Sequence, residues 1–346
     1  MEIPMYEALL VVSFGGPEKP ADVLPFLENV LRGRNVPRER MLEVAGHYDH
    51  FGGRSPINDQ NRALIAALRE LFDREGPGLP IYWGNRNWHP LLPDTLRQMK
   101  TDGIKNALGF FTSAYSSYSG CRQYRENISA AREMAGEGAP EIHKLRAFYN
   151  HPGFIKAVVD RVGAALASLP EARRAAVPIA FTAHSIPLSM AQTSRYEAQL
   201  RESCRLVAEA VGCSSYELVY QSRSGPPSQP WLGPDIINHL RQLHAAGVED
   251  VIVSPIGFVS DHLEILYDLD TEAKALAGQL GLNLVRAETP GVHPEFVAMI
   301  RELMLERMDP SLPRRALGRQ GPSHDVCAAD CCPPPAQVLR PIRISD

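Results

Sequence analysis

The sequence predicts an α/β protein of two halves, each built on a four-stranded parallel sheet flanked by helices. The chain has 346 residues, which suits two domains at ~100–200 residues each. Short apolar, β-branched segments alternate along it with longer segments whose apolar residues recur every three or four positions. Strands that alternate with helices in this way form βαβ units and parallel sheets.

Eight segments have the length and composition of buried strands. In chain order they are residues 8–13, 79–83, 105–111, 142–146, 177–182, 216–221, 250–254 and 283–286. The first and fifth both run into small residues and then a proline, as LLVVSFGGP and PIAFTAHSIP. This likeness is either an internal repeat or the ordinary way in which a parallel strand meets its loop.

Helical patterns fill the segments between the strands. Two apolar faces are the clearest, namely Leu64, Ile65, Leu68, Leu71 and Phe72, and then Leu200, Cys204, Val207 and Val211. The last helical pattern covers residues 294–308. These faces predict helices that pack against the sheets.

The domain boundary is predicted between two turn-rich segments, residues 136–141 and 169–178. We therefore expect domains at residues 1–150 and 151–313. Residues 314–346 are rich in proline and arginine and poor in large apolar side chains. Such a segment is expected to be a tail without a core of its own.

Composition and charge exclude several classes of protein. Lys and Arg total 36 against 40 Asp and Glu, a net charge of −4 without a long basic block, so no nucleic-acid partner is expected. No run approaches ~18 apolar residues, which argues against a transmembrane segment. The N-terminus lacks the basic region of a signal peptide. We expect a soluble, cytoplasmic protein.

The six cysteines are unevenly placed. Cys204 and Cys213 lie in the body of the chain, as does Cys121, whereas Cys327, Cys331 and Cys332 lie within the last twenty residues. A reducing cytoplasm argues against structural disulfides. The C-terminal group therefore either binds a metal or has no role.

The common nucleotide and hydrolase fingerprints are absent from the sequence, including GxGxxG, GK[ST] and GxSxG. Ligands of open α/β sheets bind beyond the carboxyl ends of the strands. There, FTAHSIP places His184 directly after a predicted strand. A neutral imidazole at this position can accept a proton or bind a metal, although a loop histidine bonded to the backbone is an alternative.

Two further loops follow predicted strands. In residues 254–270, a helix is expected to begin near Ser260 or Asp261, and it places Glu264 and Asp268 on one face. That face either moves protons and holds a cation or is simply solvated. Residues 112–124 carry three tyrosines, at 115, 118 and 124, which suit a planar ligand with polar edges, or else form a hydrated loop.

Five motifs together resemble the ferrochelatase family, which inserts ferrous iron into porphyrins. They are LLVVSFGGP, HFGGRSPIN, FTAHSIP, YQSRSGPPSQPWLGPDI and SPIGFVSDHLEILYDLD, which occur in the family's order between residues 9 and 308. The resemblance implies two Rossmann-like domains of the chelatase type, with the porphyrin in the cleft between them and no nucleotide. Ferrous iron and a porphyrin are then the substrates.

The resemblance also implies roles for single residues. His184 matches the active-site histidine and is the expected base and an iron ligand. Glu264 matches the carboxylate opposite it and either coordinates the incoming iron or relays protons outward through Asp268. Asp268 stands where the family has a second acidic residue, and Asp270 is expected to complete the acidic line. Protons would then leave along this line.

The porphyrin-contacting positions of the family fall on five residues here. Ser55 and Tyr124 match residues that contact the macrocycle, and Arg34 matches a basic residue near its propionates. Ser13 and Phe14 lie on the opposite face, where other members carry Met or Tyr. Phe14 cannot coordinate iron, so no ligand role is expected for it.

Some ferrochelatases hold a [2Fe–2S] cluster with one cysteine from the body and three from a C-terminal extension. Cys121 stands within one residue of the body position, and Cys327, Cys331 and Cys332 would supply the other ligands. The adjacency of Cys331 and Cys332 departs from the family's spacing. Zinc or an unliganded tail remain the alternatives.

The resemblance to the monomeric bacterial branch favours coproporphyrin III as substrate, with coproheme as the product. Extra propionates need extra donors, which Arg32, Arg34, Arg54 and the polar residues 116–119 offer. Protoporphyrin IX remains the alternative substrate. A tetrapyrrole-binding protein without catalysis and a chelatase for another metal are alternative functions, against which His184, Glu264 and the long 220–236 motif argue.

Overall fold

A computed structural model describes residues 5–33, 36–226 and 228–334 of the chain. Its strands are β1 (Ala8–Ser13), β2 (Ile81–Asn85), β3 (Asn106–Phe111), β4 (Glu141–Lys144), β5 (Ile179–His184), β6 (Tyr216–Gln221), β7 (Asp250–Ser254) and β8 (Asn283–Arg286). Its α-helices are α1 (Val23–Leu31), α2 (Arg38–Asp49), α3 (Ile57–Glu75), α4 (Leu92–Thr101), α5 (Gln123–Ala135), α6 (Pro152–Ala167), α7 (Glu171–Arg174), α8 (Leu188–Gln192), α9 (Tyr196–Ala210), α10 (Ile236–Ala245), α11 (Lys274–Leu280) and α12 (Pro294–Met308). A 3₁₀ turn (Pro20–Asp22) and two π-helical segments (Tyr118–Arg122 and Ile265–Ala273) complete these elements.

Two four-stranded, all-parallel sheets form, in the orders β2-β1-β3-β4 and β6-β5-β7-β8. In the first sheet Leu9 of β1 lies opposite Ile81 and Leu108, and in the second Ile179 of β5 lies opposite Ile252. The predicted fold class is therefore confirmed. Because β1 and β5 hold equivalent places, the two segments that are alike in sequence are also structurally equivalent.

Strand ends differ from the prediction in ways that have local causes. Strand β2 begins two residues later than predicted because Pro80 has no N–H for the ladder, although its carbonyl accepts from Leu9 N at 3.0 Å. Strand β5 continues to His184, which pairs with Gln221 of β6. His184 is thus the last residue of a strand rather than a loop residue, and its backbone is fixed by the sheet.

One apolar core joins the two halves. At its centre four phenylalanine rings contact one another at centroid distances of 5.4 to 6.4 Å, and they are Phe110, Phe148, Phe154 and Phe296. Both predicted helical faces are buried against this core, except for Val211, which follows the end of α9 and is partly exposed. Helix α12 packs on α6 and also on α3 of the first half.

The described part of the tail lies along the body of the protein. Its residues from 310 to 334 are at least partly exposed except Cys332, so it has no core of its own. Buried polar side chains hold it instead. Arg146 donates to Arg315 O at 2.8 Å, and the Asn150 amide donates to the carbonyls of Leu317 and Gly321 at 3.1 and 2.9 Å.

No helix among the described residues is both long and apolar enough to cross a membrane.

Candidate active site

The carboxyl edge of the second sheet brings His184 and Glu264 together. His184 ends β5, and the segment after the neighbouring β7 turns back across this edge before it reaches Glu264. Gly257 permits the close approach, since its N–H donates to Thr182 O at 3.0 Å and a Cβ there would lie 2.6 Å from Ala183 Cβ. This is the edge at which open α/β sheets bind ligands.

His184 and Glu264 face each other directly. His184 Nε2 lies 3.5 Å from Glu264 Oε1, and their side chains are 33% and 44% exposed. The other ring nitrogen, Nδ1, donates to Ser185 O at 2.5 Å, which leaves Nε2 for the carboxylate. The Tyr196 hydroxyl donates to His184 O at 3.0 Å and steadies the strand end.

Electrostatics keeps both groups charged. Burial by itself lowers the pKa of His184, but the charge of Glu264 and the hydrogen bond to it outweigh burial and raise that pKa to about 9. Burial likewise opposes ionisation of Glu264, yet His184 lowers the pKa of the carboxyl to about 2. At neutral pH the resting pair is therefore an imidazolium and a carboxylate.

A second histidine, His262, flanks the same carboxylate. Its Nδ1 lies 3.8 Å from Glu264 Oε2 and accepts a hydrogen bond from Glu264 N at 3.2 Å. Burial lowers the pKa of His262, so its ring is neutral. His262 is not among the residues predicted from the sequence, although its place two residues before Glu264, in SDHLE, indicates that it lies near the carboxylate.

Asp268 lies one turn beyond Glu264, on the π-helical segment Ile265–Ala273. The Ser222 hydroxyl donates to Asp268 Oδ2, and Gln221 Nε2 donates to the same oxygen at 3.4 Å and to Glu264 O at 3.1 Å. Burial and then the charge of Glu264 raise the pKa of Asp268 to about 7. This carboxyl can therefore take up or release a proton near neutral pH.

Two details of this segment correct the prediction. The helix does not begin at Ser260 or Asp261, because the Asp261 carboxylate is held by Arg286 at 3.3 Å and by Thr289 at 3.1 Å. Asp270 does not continue the acidic line, since Arg286 Nε donates to it at 2.7 Å.

Glu272 takes the third place in the acidic line. Its charge raises the pKa of Asp268, and its own pKa is raised by burial and by Asp235. The line therefore runs from Glu264 through Asp268 to Glu272. Because successive members are four residues apart, they share one side of the helical segment.

Helix α2 of the first half lies over this segment. The His47 ring stacks on Tyr267 at a centroid distance of 3.7 Å and an interplanar angle of 6°. Gln60 Oε1 accepts from Asp261 N at 2.8 Å, and Leu263 packs into an apolar cluster of α1 and α2. His184, Glu264 and Asp268 thus lie where the two halves meet.

The predicted porphyrin-contacting residues lie in the first half. Ser13 ends β1 and is buried, and its hydroxyl accepts from Asn61 at 2.9 Å. The adjacent Phe14 is 37% exposed. Ser55 is buried, with its N–H donated to Pro17 O at 2.9 Å.

Tyr124 lies on α5, buried against Phe111 at a ring-centroid distance of 5.0 Å. Arg86, which sequence reasoning misses, places its guanidinium 4.5 Å from the Tyr124 ring and 5.7 Å from the Phe14 ring. Arg54 forms an ion pair with Asp59. Arg34 lies outside the described residues.

Comparison with known proteins decides the family. The family model described as Ferrochelatase matches residues 6–308. A ferrochelatase of Rhodopirellula baltica is 58% identical in an alignment of 348 positions that covers 99% of each chain. The chain belongs to the ferrochelatase family.

Other ferrochelatases agree with this assignment. A coproporphyrin III ferrochelatase of Streptomyces griseus is 53% identical in an alignment of 350 positions that covers 95% of this chain and 93% of the relative. Among solved structures, SirB from Bacillus subtilis with Fe³⁺ has a TM-score of 0.54 at 11% identity and covers 89% of this chain and 97% of SirB. That likeness shows a shared fold.

This ferrochelatase brings its four predicted cysteine ligands together. Cys121 is buried in the π-helical turn Tyr118–Arg122, and its thiol lies close enough to that of Cys327 for the two to shift each other's pKa. Cys331 and Cys332 have their Sγ atoms 3.7 Å apart. Two thiolates on one tetrahedral metal ion, with bonds of about 2.3 Å, lie about 3.8 Å apart.

The backbone explains how two adjacent cysteines face one centre. Cys332 has a φ of 53°, in the left-handed region, which lets its side chain turn to the same side as that of Cys331. Interaction with the Cys327 thiol and the charge of Lys144 outweigh burial and lower the pKa of Cys121 to about 5. A thiolate is the form that binds metal. The residues present therefore fit a four-thiolate iron–sulfur site.

Proposed function

We propose that this chain inserts ferrous iron into coproporphyrin III and releases coproheme, a step of haem b synthesis. The observation that carries the proposal is the pair of His184 Nε2 and Glu264 Oε1, 3.5 Å apart at the junction of the two halves. The name of the Streptomyces griseus relative supports coproporphyrin III as the substrate.

The reaction removes two pyrrole protons as Fe²⁺ enters, so it needs a base and a route for protons. In the resting state His184 is protonated because Glu264 raises its pKa to about 9. Fe²⁺ that binds the Glu264 carboxylate cancels the charge responsible for this shift. His184 then loses its proton and becomes the neutral base that the pyrrole N–H requires.

Asp268 is the first acceptor for the released protons. Its pKa of about 7 suits uptake and release of a proton near neutral pH, and burial, the largest cause of that raised pKa, persists when iron cancels the charge of Glu264. Glu272 continues the line outward, while the neutral His262 accepts from Glu264 N and holds the backbone that carries the carboxylate. Each step is a proton transfer between positioned side chains.

The macrocycle is proposed to contact the first half. Ser55 and Tyr124 hold its edge, Arg34 binds a propionate, and Ser13 and Phe14 lie against the face opposite His184. Phe14 is the exposed member of this set and offers an apolar ring surface. Arg86, beside Phe14 and Tyr124, adds a positive charge near that surface.

The substrate is tested by comparing iron insertion into coproporphyrin III and into protoporphyrin IX under anaerobic conditions. We expect kcat/KM to be about tenfold or more higher for coproporphyrin III, a difference of about 1.4 kcal/mol. Equal rates, or faster insertion into protoporphyrin IX, would contradict the proposed substrate but leave iron insertion intact.

We propose that Cys121, Cys327, Cys331 and Cys332 hold a [2Fe–2S] cluster. When bound, such a cluster supplies one-electron redox capacity and fastens the tail to the body. The convergence of four thiols supports the ligand set. Anaerobically purified protein should carry about two irons and two sulfides with visible charge-transfer bands, and colourless protein free of iron would contradict the cluster.

Three coarser proposals complete the description. We propose a division into domains at residues 1–150 and 151–313, with a cysteine-bearing tail at 314–346. We also propose that the protein acts in the cytoplasm, since the six cysteines are free thiols, as a reducing compartment requires. Finally, we propose a monomer, to be tested by light scattering of the purified protein.

A further inference from the structure

The tail carries a second set of metal ligands that only partly overlaps the four cysteines. His324, Cys327 and Cys331 each offer one ligand atom, and these atoms lie within 4.8 Å of one another. Separations of two to four residues between ligands are typical of zinc sites in short loops. The sequence H-x₂-C-x₃-C has this spacing.

We propose that His324, Cys327 and Cys331, with Cys332 as the fourth ligand, form a mononuclear Zn²⁺ site. Tetrahedral zinc with bonds of about 2.0 Å to nitrogen and about 2.3 Å to sulfur sets its ligand atoms about 3.5–3.8 Å apart. Cys331 and Cys332 already meet this distance, with sulfurs 3.7 Å apart. The ligand atoms of His324, Cys327 and Cys331 lie within 4.8 Å of one another and need to approach by about 1 Å at most.

The backbone on both sides of His324 is fixed by one arginine. Arg314 donates to Ser323 O at 2.6 Å and to Asp325 Oδ1 at 3.2 Å, and these are the two neighbours of His324. Both neighbours of His324 are therefore held in place without metal, which keeps its backbone near the cysteines. Such preorganisation lowers the entropy lost on binding.

The cysteine ligands are held by a tight turn, in which Cys331 N donates to Ala328 O at 3.1 Å. This turn brings Cys327 back toward Cys331. Cys332 is buried, Cys327 and Cys331 are partly exposed, and His324 is exposed, so a metal ion can enter from solvent on the histidine side. Zinc binding displaces thiol protons to water and transfers no electrons.

The zinc site and the proposed cluster compete for three cysteines and differ in the remaining ligand. The cluster needs Cys121 from the body, whereas the zinc site needs His324 from the tail. Substitution of Cys121 should therefore abolish the cluster and spare zinc binding, whereas substitution of His324 should weaken zinc binding and spare the cluster. This opposite behaviour separates the two proposals experimentally.

The experiment uses the full-length apo protein with His184→Ala and Glu264→Gln, which removes the catalytic metal ligands. Zn²⁺ is titrated anaerobically against a chromophoric chelator, and Co²⁺ serves as a spectroscopic probe of thiolate ligation. We expect one Zn²⁺ per chain in the tail, an affinity at least about tenfold weaker in His324→Ala, and unchanged affinity in Cys121→Ser. His244→Ala, at the exposed end of α10, is the matched control.

The site is overturned if His324→Ala binds Zn²⁺ as tightly as the parent, or if Cys121→Ser loses Zn²⁺ to the same extent as Cys327→Ser. In the otherwise unaltered protein, His324→Ala should keep the visible absorption of the cluster and Cys121→Ser should lose it. Loss of that absorption in His324→Ala would also refute the assignment, because His324 would then belong to the cluster. If the parent protein has no cluster, only the cluster proposal fails, because zinc binding is measured in a separate titration.

Discussion

A single carboxylate charge sets the protonation state of the histidine opposite it. Because Glu264 raises the pKa of His184, the uncharged Glu264→Gln should lower it, by about 1–3 units. The neutral fraction of His184 at pH 7 then increases. Titration of the labelled imidazole by NMR measures this shift directly, without any substrate.

Asp270→Asn is the matched control for that titration. It also removes one carboxylate from the segment Ile265–Ala273, but Arg286 holds Asp270 at 2.7 Å, away from the acidic line. We expect the pKa of His184 to stay unchanged in this variant. A His184 pKa that moves equally in both variants, or in neither, would refute the role given to Glu264.

His184→Ala should abolish iron insertion and largely spare porphyrin binding. The base is lost, whereas the proposed macrocycle contacts of Ser55 and Tyr124 belong to the other half. Anaerobic turnover and the quenching of protein fluorescence by added porphyrin measure the two properties separately. His244→Ala controls for the loss of an imidazole elsewhere, and near-normal turnover of His184→Ala would rule out its role as the base.

Helix α6 begins at a buried histidine that stays neutral. His151 caps it, with Nδ1 accepting from Gly153 N at 3.2 Å. Burial, and then the charges of Arg146 and Arg315, lower the pKa of His151 to about 3. Between pH 6.5 and about pH 3 the imidazole binds a proton in the unfolded chain but not in the folded one. The free energy of unfolding therefore falls as the pH falls through this range.

His151→Asn should therefore reduce the acid sensitivity of folding. Asparagine also caps helices and does not titrate. Between pH 7 and pH 4.5 the free energy of unfolding should drop by up to about 3 kcal/mol more in the parent than in the variant. Urea unfolding at both pH values measures the two drops, and equal drops would contradict the buried neutral state of His151.

Apolar patterning predicts the elements of this fold unevenly. It places all eight strands, and most clearly inner strands such as β1 and β7, because a strand buried on both faces is a short β-branched run that few other structures tolerate. The π-helical segment Ile265–Ala273 is beyond its reach, because the wider turn differs from an α-helix in hydrogen-bond register rather than in residue type. The wrong placement of Asp270 has a different cause, since its partner Arg286 is distant in sequence.

The active site and the tail also differ in how far the sequence predicts them. His184 and Glu264 can be found from sequence because each belongs to a distinctive motif after a predicted strand. The organisation of the tail cannot, because residues 310–334 have no apolar pattern and depend on contacts with distant segments. The Asn150 amide, for example, reaches Leu317 O across more than 160 positions of sequence.

The tail connects both halves of the molecule, and Asn150 is its principal buried anchor. The Asn150 backbone and side chain bond Leu317, and the side chain also bonds Gly321. On the other side, Gln320 accepts from Arg195, which precedes α9. Loss of the Asn150 amide removes two hydrogen bonds that hold the tail, each contributing about 0.5–1.5 kcal/mol.

Asn150→Ala should therefore release the tail rather than unfold the domains. We expect hydrogen exchange to accelerate in residues 315–332 while β1 and β5 keep their protection, and the yield of the cysteine-bound metal to fall. Ser311→Ala is the control, since the Ser311 hydroxyl bonds Asp309 beside it and not the body. Unchanged exchange in residues 315–332 of Asn150→Ala would show that the tail is held by other contacts, and the anchor role of Asn150 would be abandoned.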